Sequence, residues 1–206
     1  MTDGREEHWE GVYATRSTTD VGWYEAQPAA SLRLIETTAL GPASAVIDVG
    51  SGASSLVDRL LDRGFTDLTL LDVSQHVLDE VRRRVGERGA RSVRLVRDDV
   101  LTWVPDRRYD IWHDRAVLHF LTEPTDRSRY VEIAEWAVRE DGALIVGTFA
   151  EDGATQCSGL PVVRYSAPDL AELFCKNFVL VAHERAEHIT PVGVAQPYTW
   201  ILLRRT

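Results

Sequence analysis

The sequence predicts one α/β domain built on a parallel sheet with crossover helices. Short runs rich in Val, Ile and Leu recur along the 206 residues, and patterns with helical spacing separate them. The runs are almost continuously apolar rather than alternating, which is typical of strands covered on both faces. A hydrophobic content of 44% is sufficient for one sizeable core.

Seven runs are predicted as strands. The parallel strands are expected at residues 45–49, 68–71, 93–96, 109–113 and 143–149. Two more strands are expected at residues 178–185 and 198–204. The segment "AEHITPVGVAQP" between these two is too short for a crossover helix, so the last pair should be antiparallel.

Helices are predicted between the strands. Residues 54–63, 75–85 and 125–139 carry apolar side chains at helical spacing, with "REDG" as the exit turn of the third helix. Ser74 is a predicted N-cap, and Gly64 and Gly86 are predicted stops. After a loop of about 15 residues, "AEDGATQCSGLPVVR", Ser166 should cap a further short helix.

Composition and charge restrict the partners and the location. Lys and Arg number 23 against 32 Asp and Glu, a net charge of −9, which disfavours binding to a nucleic-acid backbone. The start lacks an apolar signal core, and no run approaches the roughly 18 apolar residues of a membrane span. We therefore expect a cytoplasmic protein, monomeric or homodimeric, without a nucleic-acid or membrane partner. Lys176 is the single lysine, which favours a bacterial source with a GC-rich genome.

The stretch "AVIDVGSGASS" predicts a ligand-binding turn. A strand ends just after Asp48, and Gly50 and Gly52 allow a tight turn that brings the backbone close to a ligand. Asp72 ends the second strand, 20 residues after Gly52, where a carboxylate can accept both hydroxyls of a ribose. The spacing predicts a nucleotide-like ligand.

Two classes of ligand are consistent with this spacing. A dinucleotide dehydrogenase needs a third glycine, and this loop has Ser55 instead. Asp48 is also a poor neighbour for a pyrophosphate and a good one for a sulfonium ligand that carries an amino group. The residues thus favour S-adenosylmethionine over a dinucleotide.

Five further segments carry a family resemblance. They are "VIDVGSGASSLVDRLLDRG", "LTLLDVSQHVLDEVRRR", "VRLVRDDVLTW", "YDIWHDRAVLHFL" and "REDGALIVGTF". Their order and spacing resemble those of class I S-adenosylmethionine-dependent methyltransferases over about residues 8–204. The resemblance implies a Rossmann-like α/β fold with a seven-stranded sheet of order 3-2-1-4-5-7-6, an antiparallel strand seven, and helices on both faces.

The opening "HWEGVYATRSTTDVGWYE" resembles the N-terminal segment of one methyltransferase subgroup. That subgroup includes tellurite- and thiopurine-type small-molecule enzymes and eukaryotic lysine methyltransferases of an elongation factor. We expect residues 1–40 to form a helical cap over the cofactor and residues 41–206 to form the core. The aromatic faces of Trp9, Tyr13 and Trp23 suit a sulfonium, although these side chains would equally attach the segment to the sheet edge.

The resemblance implies roles for the cofactor-binding residues. Asp48, Gly50, Ser51 and Gly52 match the loop that holds the methionine part of S-adenosylmethionine, from which the product S-adenosylhomocysteine forms. Asp72 matches the ribose ligand and Val73 would flank the adenine. Asp98, Asp99 and Val100 match the segment at the adenine, where either aspartate would bind the amino group, and His113 would line the methyl-transfer site.

Three residues after the fourth strand are candidate catalytic groups. A neutral His119, with an ordinary pKa near 6.5, could take a proton from an acceptor, and Asp114 is the second choice as base. Arg115 could hold an anionic acceptor through its planar guanidinium. The alternatives are a His119 packed beneath the loop and an Arg115 paired with Asp114 or a surface acid.

The acceptor pocket has four further candidates. They are Cys157 and Arg164 after the fifth strand, and His188 and Gln196 on the loop expected between the last two strands. The cysteines and histidines show no metal-ligand spacing, so no metal is expected. The predicted function is methyl transfer to a small-molecule acceptor by in-line displacement. The alternatives are a protein-lysine methyltransferase and a non-catalytic S-adenosylmethionine-binding module.

Overall fold

The computed structural model describes residues 2–206, with side chains from residue 4 onward. In chain order the elements are α1 (Thr2–Thr15), α2 (Ala29–Thr37), β1 (Ala45–Val49), α3 (Leu56–Asp62), β2 (Asp67–Asp72), α4 (Gln75–Gly89), β3 (Val93–Arg97), β4 (Tyr109–Arg115), a 3-10 turn (Leu118–Phe120), α5 (Pro124–Ala137), β5 (Val138–Phe149), β6 (Gln156–Cys157), β7 (Leu160–Pro161), α6 (Ala167–Glu172), β8 (Phe178–Ile189) and β9 (Ala195–Arg205). The expected cap at residues 1–40 begins with Met1, which lies outside the described residues.

Seven strands form one sheet in the order β3-β2-β1-β4-β5-β9-β8. Strand β1 pairs in parallel with β2 and β4, whereas β9 runs antiparallel to both β5 and β8. The two-residue strands β6 and β7 form a separate hairpin. Without that hairpin the order is the predicted 3-2-1-4-5-7-6 with the last strand antiparallel, so the predicted topology is confirmed.

Helices cover both faces of the sheet, as predicted. In β1, Val46 belongs to one buried cluster, and Ile47 and Val49 belong to the other, because successive side chains of a strand point to opposite faces. Helices α2, α3 and α4 contribute to the first cluster, and α5 and α6 to the second. The central strands β1, β2 and β4 are therefore buried on both faces, which explains their almost continuous apolar sequence.

Two predicted helix caps are confirmed. The hydroxyl of Ser74 accepts a hydrogen bond from the Val77 amide at 3.3 Å, and that of Ser166 accepts one from the Asp169 amide at 3.3 Å. The regular helix also breaks at Gly86 as predicted: this residue has a non-helical backbone with φ +52°, and a further helical turn follows the kink up to Gly89. A glycine tolerates this left-handed conformation and lets the helix resume after the break.

The "REDG" turn lies within β5 rather than after a helix. Strand β5 pairs with Tyr109 of β4 through Val138, and next with Ile111 through Ala143. Residues 139–142 therefore bulge out of the sheet between these two pairings. The turn predicted from the sequence exists, but a strand residue precedes it.

The end of the chain differs from the prediction in two places. The loop expected after Phe149 contains the β6–β7 hairpin, which turns at Ser158 (φ +50°) and Gly159 (φ +78°). Strands β8 and β9 are longer than predicted, and His188 pairs with Gln196 across them. The expectation that these two residues lie on the connecting loop was therefore wrong. No described helix is both long and apolar enough to cross a membrane.

Candidate active site

Two cavities lie at the carboxyl ends of β1, β2 and β4, where the strand order changes direction and α/β proteins commonly bind ligands. The larger has an empty volume of about 850 Å³ that includes the part open to solvent, and the smaller about 530 Å³. Tyr13, Trp23, Gly50 and Arg115 line both cavities, so the cavities adjoin. Together they form one continuous concave site at this edge of the sheet.

The glycine loop after β1 is shaped by close contacts. Gly50 has φ +60°, and a side chain there would collide with Val117. Gly52 has φ +52°, and its added Cβ would lie 2.7 Å from the Tyr13 hydroxyl oxygen. Both positions need glycine, because other residues are strained at these φ values and lack the space.

Asp72 is fixed in the wall of the larger cavity. Its carboxylate accepts hydrogen bonds from the Gly52 amide at 2.8 Å and from the Ser74 amide at 2.9 Å. Burial raises the pKa of Asp72 to about 6, although these two amides oppose the shift. The carboxylate is thus positioned by the loop and by the start of α4 at once.

Asp48 and His113 meet in the wall of the smaller cavity. Nδ1 of His113 lies 2.7 Å from Asp48 Oδ1, and Nε2 lies 2.9 Å from the Ser31 hydroxyl. Sequence reasoning missed Ser31. The available signal was a serine among the buried apolar positions of α2, where a polar group needs a partner.

The segment after β3 lines the other end of the larger cavity. The lining residues here are Val73, Asp98, Asp99 and Val100. Asp99 pairs with Arg5 of α1 at 3.2 Å, and Arg5 also contacts Asp126 at 2.5 Å. Helix α1 is therefore tied across the cavity to the segment after β3 and to α5.

Arg5 was not predicted as a site residue, although the sequence held a signal. Arg5, Trp9 and Tyr13 are spaced four residues apart, so they share one face of α1. All three line the larger cavity.

An aromatic wall, defined as Trp9, Tyr13, Trp23 and Phe120, lines the larger cavity. The Trp9 ring lies 5.5 Å from that of Trp23 and 5.3 Å from that of Phe120, in edge-to-face contacts. Burial raises the pKa of Tyr13 far above its usual value, so its hydroxyl stays protonated. The wall is rigid because each ring packs against another.

Arg115 lies where the two cavities meet. It donates a hydrogen bond to the Trp23 carbonyl at 2.8 Å, and its guanidinium lies 5.3 Å from the centre of the Tyr198 ring. Nη2 lies 3.2 Å from Glu25 Oε1. Burial acts to raise the pKa of Glu25, but the His188 hydrogen bond and the Arg115 charge lower it overall. Arg115 is thus held by the N-terminal segment and not by Asp114, and Glu25 was missed by sequence reasoning.

Of the four predicted acceptor residues, Cys157 alone lines the larger cavity. Burial raises the pKa of its thiol to about 11. Arg164 is exposed and donates to the Gly153 carbonyl, and the half-buried Gln196 lines neither cavity. His188 is buried and contacts Glu25 at 3.0 Å and the Gly22 carbonyl at 2.7 Å, so it fixes the N-terminal segment instead.

Asp114 and His119 do not line either cavity. Asp114 is fully buried and accepts hydrogen bonds from the amides of Val117 and Leu118 and from the Tyr130 hydroxyl. It caps the turn after β4 and has no free face toward an acceptor.

His119 is packed beneath the turn. It is fully buried, with ring centres 4.4 Å from Phe120 and 4.9 Å from Phe149. Neither ring nitrogen has a hydrogen-bond partner in the described part of the chain. Burial, and secondarily the charge of Arg115, lowers the pKa of His119 to about 3. Neither His119 nor Asp114 lines a cavity, so this geometry does not support either residue as the general base, and that role stays a prediction.

The lining residues fit S-adenosylmethionine. Its sulfonium and amino group are cationic, and Asp48, Asp72 and Glu25 supply carboxylates along the two cavities. The Ser51 hydroxyl in the glycine loop is buried without a partner among the described residues, which leaves a polar atom for a ligand. Within residues 2–206, no group of three or more His, Cys, Asp or Glu is placed to bind a metal ion.

Comparisons with known proteins agree with this geometry. Residues 46–142 match a protein-family model described as "Methyltransferase domain". The "eEF1A lysine and N-terminal methyltransferase" of Mus musculus is 22% identical over 196 residues, which cover 94% of this chain but only 27% of that protein. The "EEF1A lysine methyltransferase 2" of Danio rerio is 24% identical over 192 residues, which cover 86% of this chain and 76% of that protein.

A solved structure has the same fold. The 1,6-didemethyltoxoflavin-N1-methyltransferase of Burkholderia thailandensis, with bound 1,6-didemethyltoxoflavin and S-adenosylhomocysteine, superposes with a TM-score of 0.70 at 22% identity. The match covers 99% of this chain and 86% of that one. The sheet order and the site at its carboxyl edge define a Rossmann-like methyltransferase fold. Residues 46–142 thus match a methyltransferase domain, and the whole chain has the fold that its resemblance to class I S-adenosylmethionine-dependent methyltransferases implied.

Proposed function

We propose that the chain transfers a methyl group from S-adenosylmethionine to a small-molecule acceptor bound against the aromatic wall. The observation that carries this proposal is the form of the larger cavity. It extends from Asp72 and Asp99 to Arg115 and Cys157, and α1 covers it between these ends. Such a cavity encloses a compact acceptor beside the cofactor.

The residues that would hold the cofactor follow the two cavities. Asp72 would accept the ribose hydroxyls, and Asp99 or Asp98 would bind the adenine amino group between Val73 and Val100. Asp48, Gly50, Ser51, Gly52 and His113 would surround the methionine part. Trp9, Tyr13 and Trp23 would lie against the sulfonium. When bound, S-adenosylmethionine supplies an already activated methyl group.

The chain itself contributes position and exclusion of water. The aromatic wall restricts the orientation of the acceptor, and Arg115 provides a charged donor at the same place. Helix α1 would be part of the cap expected for residues 1–40, and the contacts of Arg5 with Asp99 and Asp126 across the cavity support that role. Holding two reactants in line in a dry site can supply much of the rate acceleration.

Transfer to a protein lysine is the second candidate. It is supported by the names of the two curated relatives, both of which are eEF1A lysine methyltransferases. In its favour, the larger cavity is partly open, which would admit an extended side chain.

A non-catalytic S-adenosylmethionine-binding module is the third candidate. The cytoplasmic location, the bacterial source, the monomeric or homodimeric state and the lack of nucleic-acid and membrane partners stay predictions.

The first experiment is calorimetric titration with S-adenosylhomocysteine. The wild type should bind, and Asp72→Asn should bind at least about tenfold more weakly, because the amide cannot accept a hydrogen bond at both positions. The control is Asp79→Asn, which changes an exposed carboxylate that pairs with Arg82. A folded wild-type protein without affinity for S-adenosylhomocysteine would refute the proposal.

Turnover is measured next, as release of S-adenosylhomocysteine with phenols, thiols, amines and lysine peptides as acceptors. Turnover with small molecules supports the first candidate, and turnover with lysine peptides alone supports the second. Binding without turnover on either class favours the third.

A further inference from the structure

Resting on the proposed function, we propose that the acceptor is a planar aromatic or heteroaromatic acid (a phenol, an aromatic thiol or a ring N–H compound) that reacts as its anion beside Arg115, without a general base from the protein. The proposal follows from three features of the larger cavity: the shape of its aromatic wall, the charge of Arg115 and the protonation of its side chains.

The shape favours a flat acceptor. The Trp9 ring contacts both Trp23 and Phe120 edge to face, so these side chains present packed ring surfaces rather than flexible chains. Aromatic surfaces bind planar rings through offset and edge-to-face contacts. An aromatic acceptor therefore gains more from this wall than an aliphatic one.

The charge of Arg115 favours an anionic acceptor. Nη2 of Arg115 is buried and makes no hydrogen bond in the described part of the chain, although it lies 3.2 Å from Glu25 Oε1. The second arginine of the cavity, Arg5, is already paired with both Asp99 and Asp126. Arg115 thus retains a donor for an oxyanion, a thiolate or a deprotonated ring nitrogen.

No side chain that lines this end of the larger cavity is suited to remove a proton, and Glu25 of the smaller cavity is already held by Arg115 and His188. The Cys157 thiol has a pKa of about 11, and the Tyr13 hydroxyl stays protonated. His119 and Asp114 lie outside the cavity. Asp72 accepts two backbone hydrogen bonds at the far end. An acceptor that needs deprotonation must therefore lose its proton to solvent.

The methyl-transfer step balances without a base. The acceptor anion forms a bond to the methyl carbon while the bond from that carbon to sulfur breaks, and the electron pair of the broken bond stays on sulfur. The products are the neutral methylated acceptor and a neutral thioether. Since the proton leaves before this step, the rate should depend on the ionisation of the acceptor.

The test is a spectrophotometric pH titration of 4-nitrophenol, whose anion absorbs visible light. The 4-nitrophenol is bound to protein that is saturated with S-adenosylhomocysteine, so no methyl transfer takes place during the titration. We expect the bound phenol to ionise about one pH unit below the free phenol, because a guanidinium stabilises its anion. Arg115→Gln should abolish this shift, and Arg115→Lys should retain part of it.

Arg33→Gln is the matched control. Arg33 is an exposed arginine that pairs with Glu184 as Arg115 pairs with Glu25, but it lies outside the cavities. It should leave the titration unchanged. Circular dichroism and the affinity for S-adenosylhomocysteine report whether each variant is folded, and Arg115→Lys keeps the test decisive if Arg115→Gln unfolds.

Turnover gives a second, independent readout. With phenols of graded acidity, kcat/KM should rise with pH to a plateau, and the midpoint should follow the pKa of each phenol. A midpoint near pH 6.5 for every acceptor would indicate a histidine base and overturn the inference. So would 4-nitrophenol that does not bind or ionises at an unchanged pH, or turnover restricted to lysine peptides. Loss of S-adenosylhomocysteine binding in the wild type would instead refute the proposed function.

Discussion

Gly52 and Tyr13 form a single contact that couples the glycine loop to the N-terminal helix. The Tyr13 hydroxyl occupies the space that a side chain at position 52 would fill. Tyr13 also lines both cavities. The packing of one glycine thus determines how closely the aromatic wall approaches the expected position of the cofactor.

Substitution of this glycine should separate α1 from the loop. We expect Gly52→Ala to weaken S-adenosylhomocysteine binding by about tenfold or more and to lower the free energy of unfolding by about 1–3 kcal/mol, because of the positive φ and the 2.7 Å contact. Calorimetry and urea denaturation measure the two effects.

Gly193→Ala is the control, since Gly193 also has a positive φ of +81° but an added Cβ there would meet no other atom within 4 Å. It should lower stability without changing affinity. Tyr13→Phe in the Gly52→Ala protein should restore part of the stability. Equal affinities in the two alanine variants would contradict the role of the Tyr13 contact.

A site residue could be predicted from the sequence only where its contact partners lie at a short, fixed distance along the chain. Gly50, Gly52 and Asp72 were found because their chemistry requires a fixed spacing, and all three line the larger cavity or contact its walls. Glu25 could not be found in this way. It contacts His188, 163 positions away, and only the fold brings the two together.

At the scale of elements, α1 is attached to the start of α4. Glu10 accepts a hydrogen bond from the Gln75 amide at 2.6 Å and lies 3.2 Å from the Ser74 hydroxyl. A carboxylate at a helix N-terminus binds free amides and complements the helix dipole. Helix α1 is therefore held by polar contacts to the core as well as by its aromatic residues.

Removal of this charge should loosen the cap. We expect Glu10→Gln to cost about 0.5–2 kcal/mol in the docking of α1, with faster hydrogen exchange in α1 and weaker S-adenosylhomocysteine binding. Exchange of the sheet amides should stay unchanged. The control is Glu7→Gln, an exposed position on the same helix. Unchanged exchange in α1 of Glu10→Gln would show that the aromatic contacts alone hold this helix.

The elements themselves were predictable where burial is uniform. Strands β1, β2 and β4 begin within one residue of the predicted position, because they are buried along almost their whole length. Strand β3 also begins at the predicted residue, although it lies at the sheet edge and is only half-buried. The β6–β7 hairpin was missed because strands of two residues carry no periodicity. The start of β5 was missed because residues 139–142 bulge out before regular pairing resumes.

At the scale of the whole molecule, the site depends on the sheet and on a segment far from it in sequence. The sheet positions the loops at the carboxyl ends of its strands. The N-terminal segment packs over these loops through contacts of Arg5, Glu10 and Glu25. Deeper in the core, two groups remain that the site does not use: Asp114 under the turn and His119 between aromatic rings. Their burial makes the stability of the whole chain depend on pH.

The sign of this dependence can be tested at His119. The native pKa of about 3 lies below the ordinary value of 6.5, so between these values the unfolded chain binds a proton that the native protein does not. Stability from this group is therefore complete above pH 6.5 and is lost as pH falls toward 3. His119→Leu removes the titrating group, and Asp72 and Asp114 titrate alike in both proteins. The wild type should thus lose about 2 kcal/mol relative to His119→Leu between pH 7.5 and pH 5. Urea unfolding of both proteins at each pH measures the difference, and equal losses would place the imidazole in contact with water or a proton acceptor.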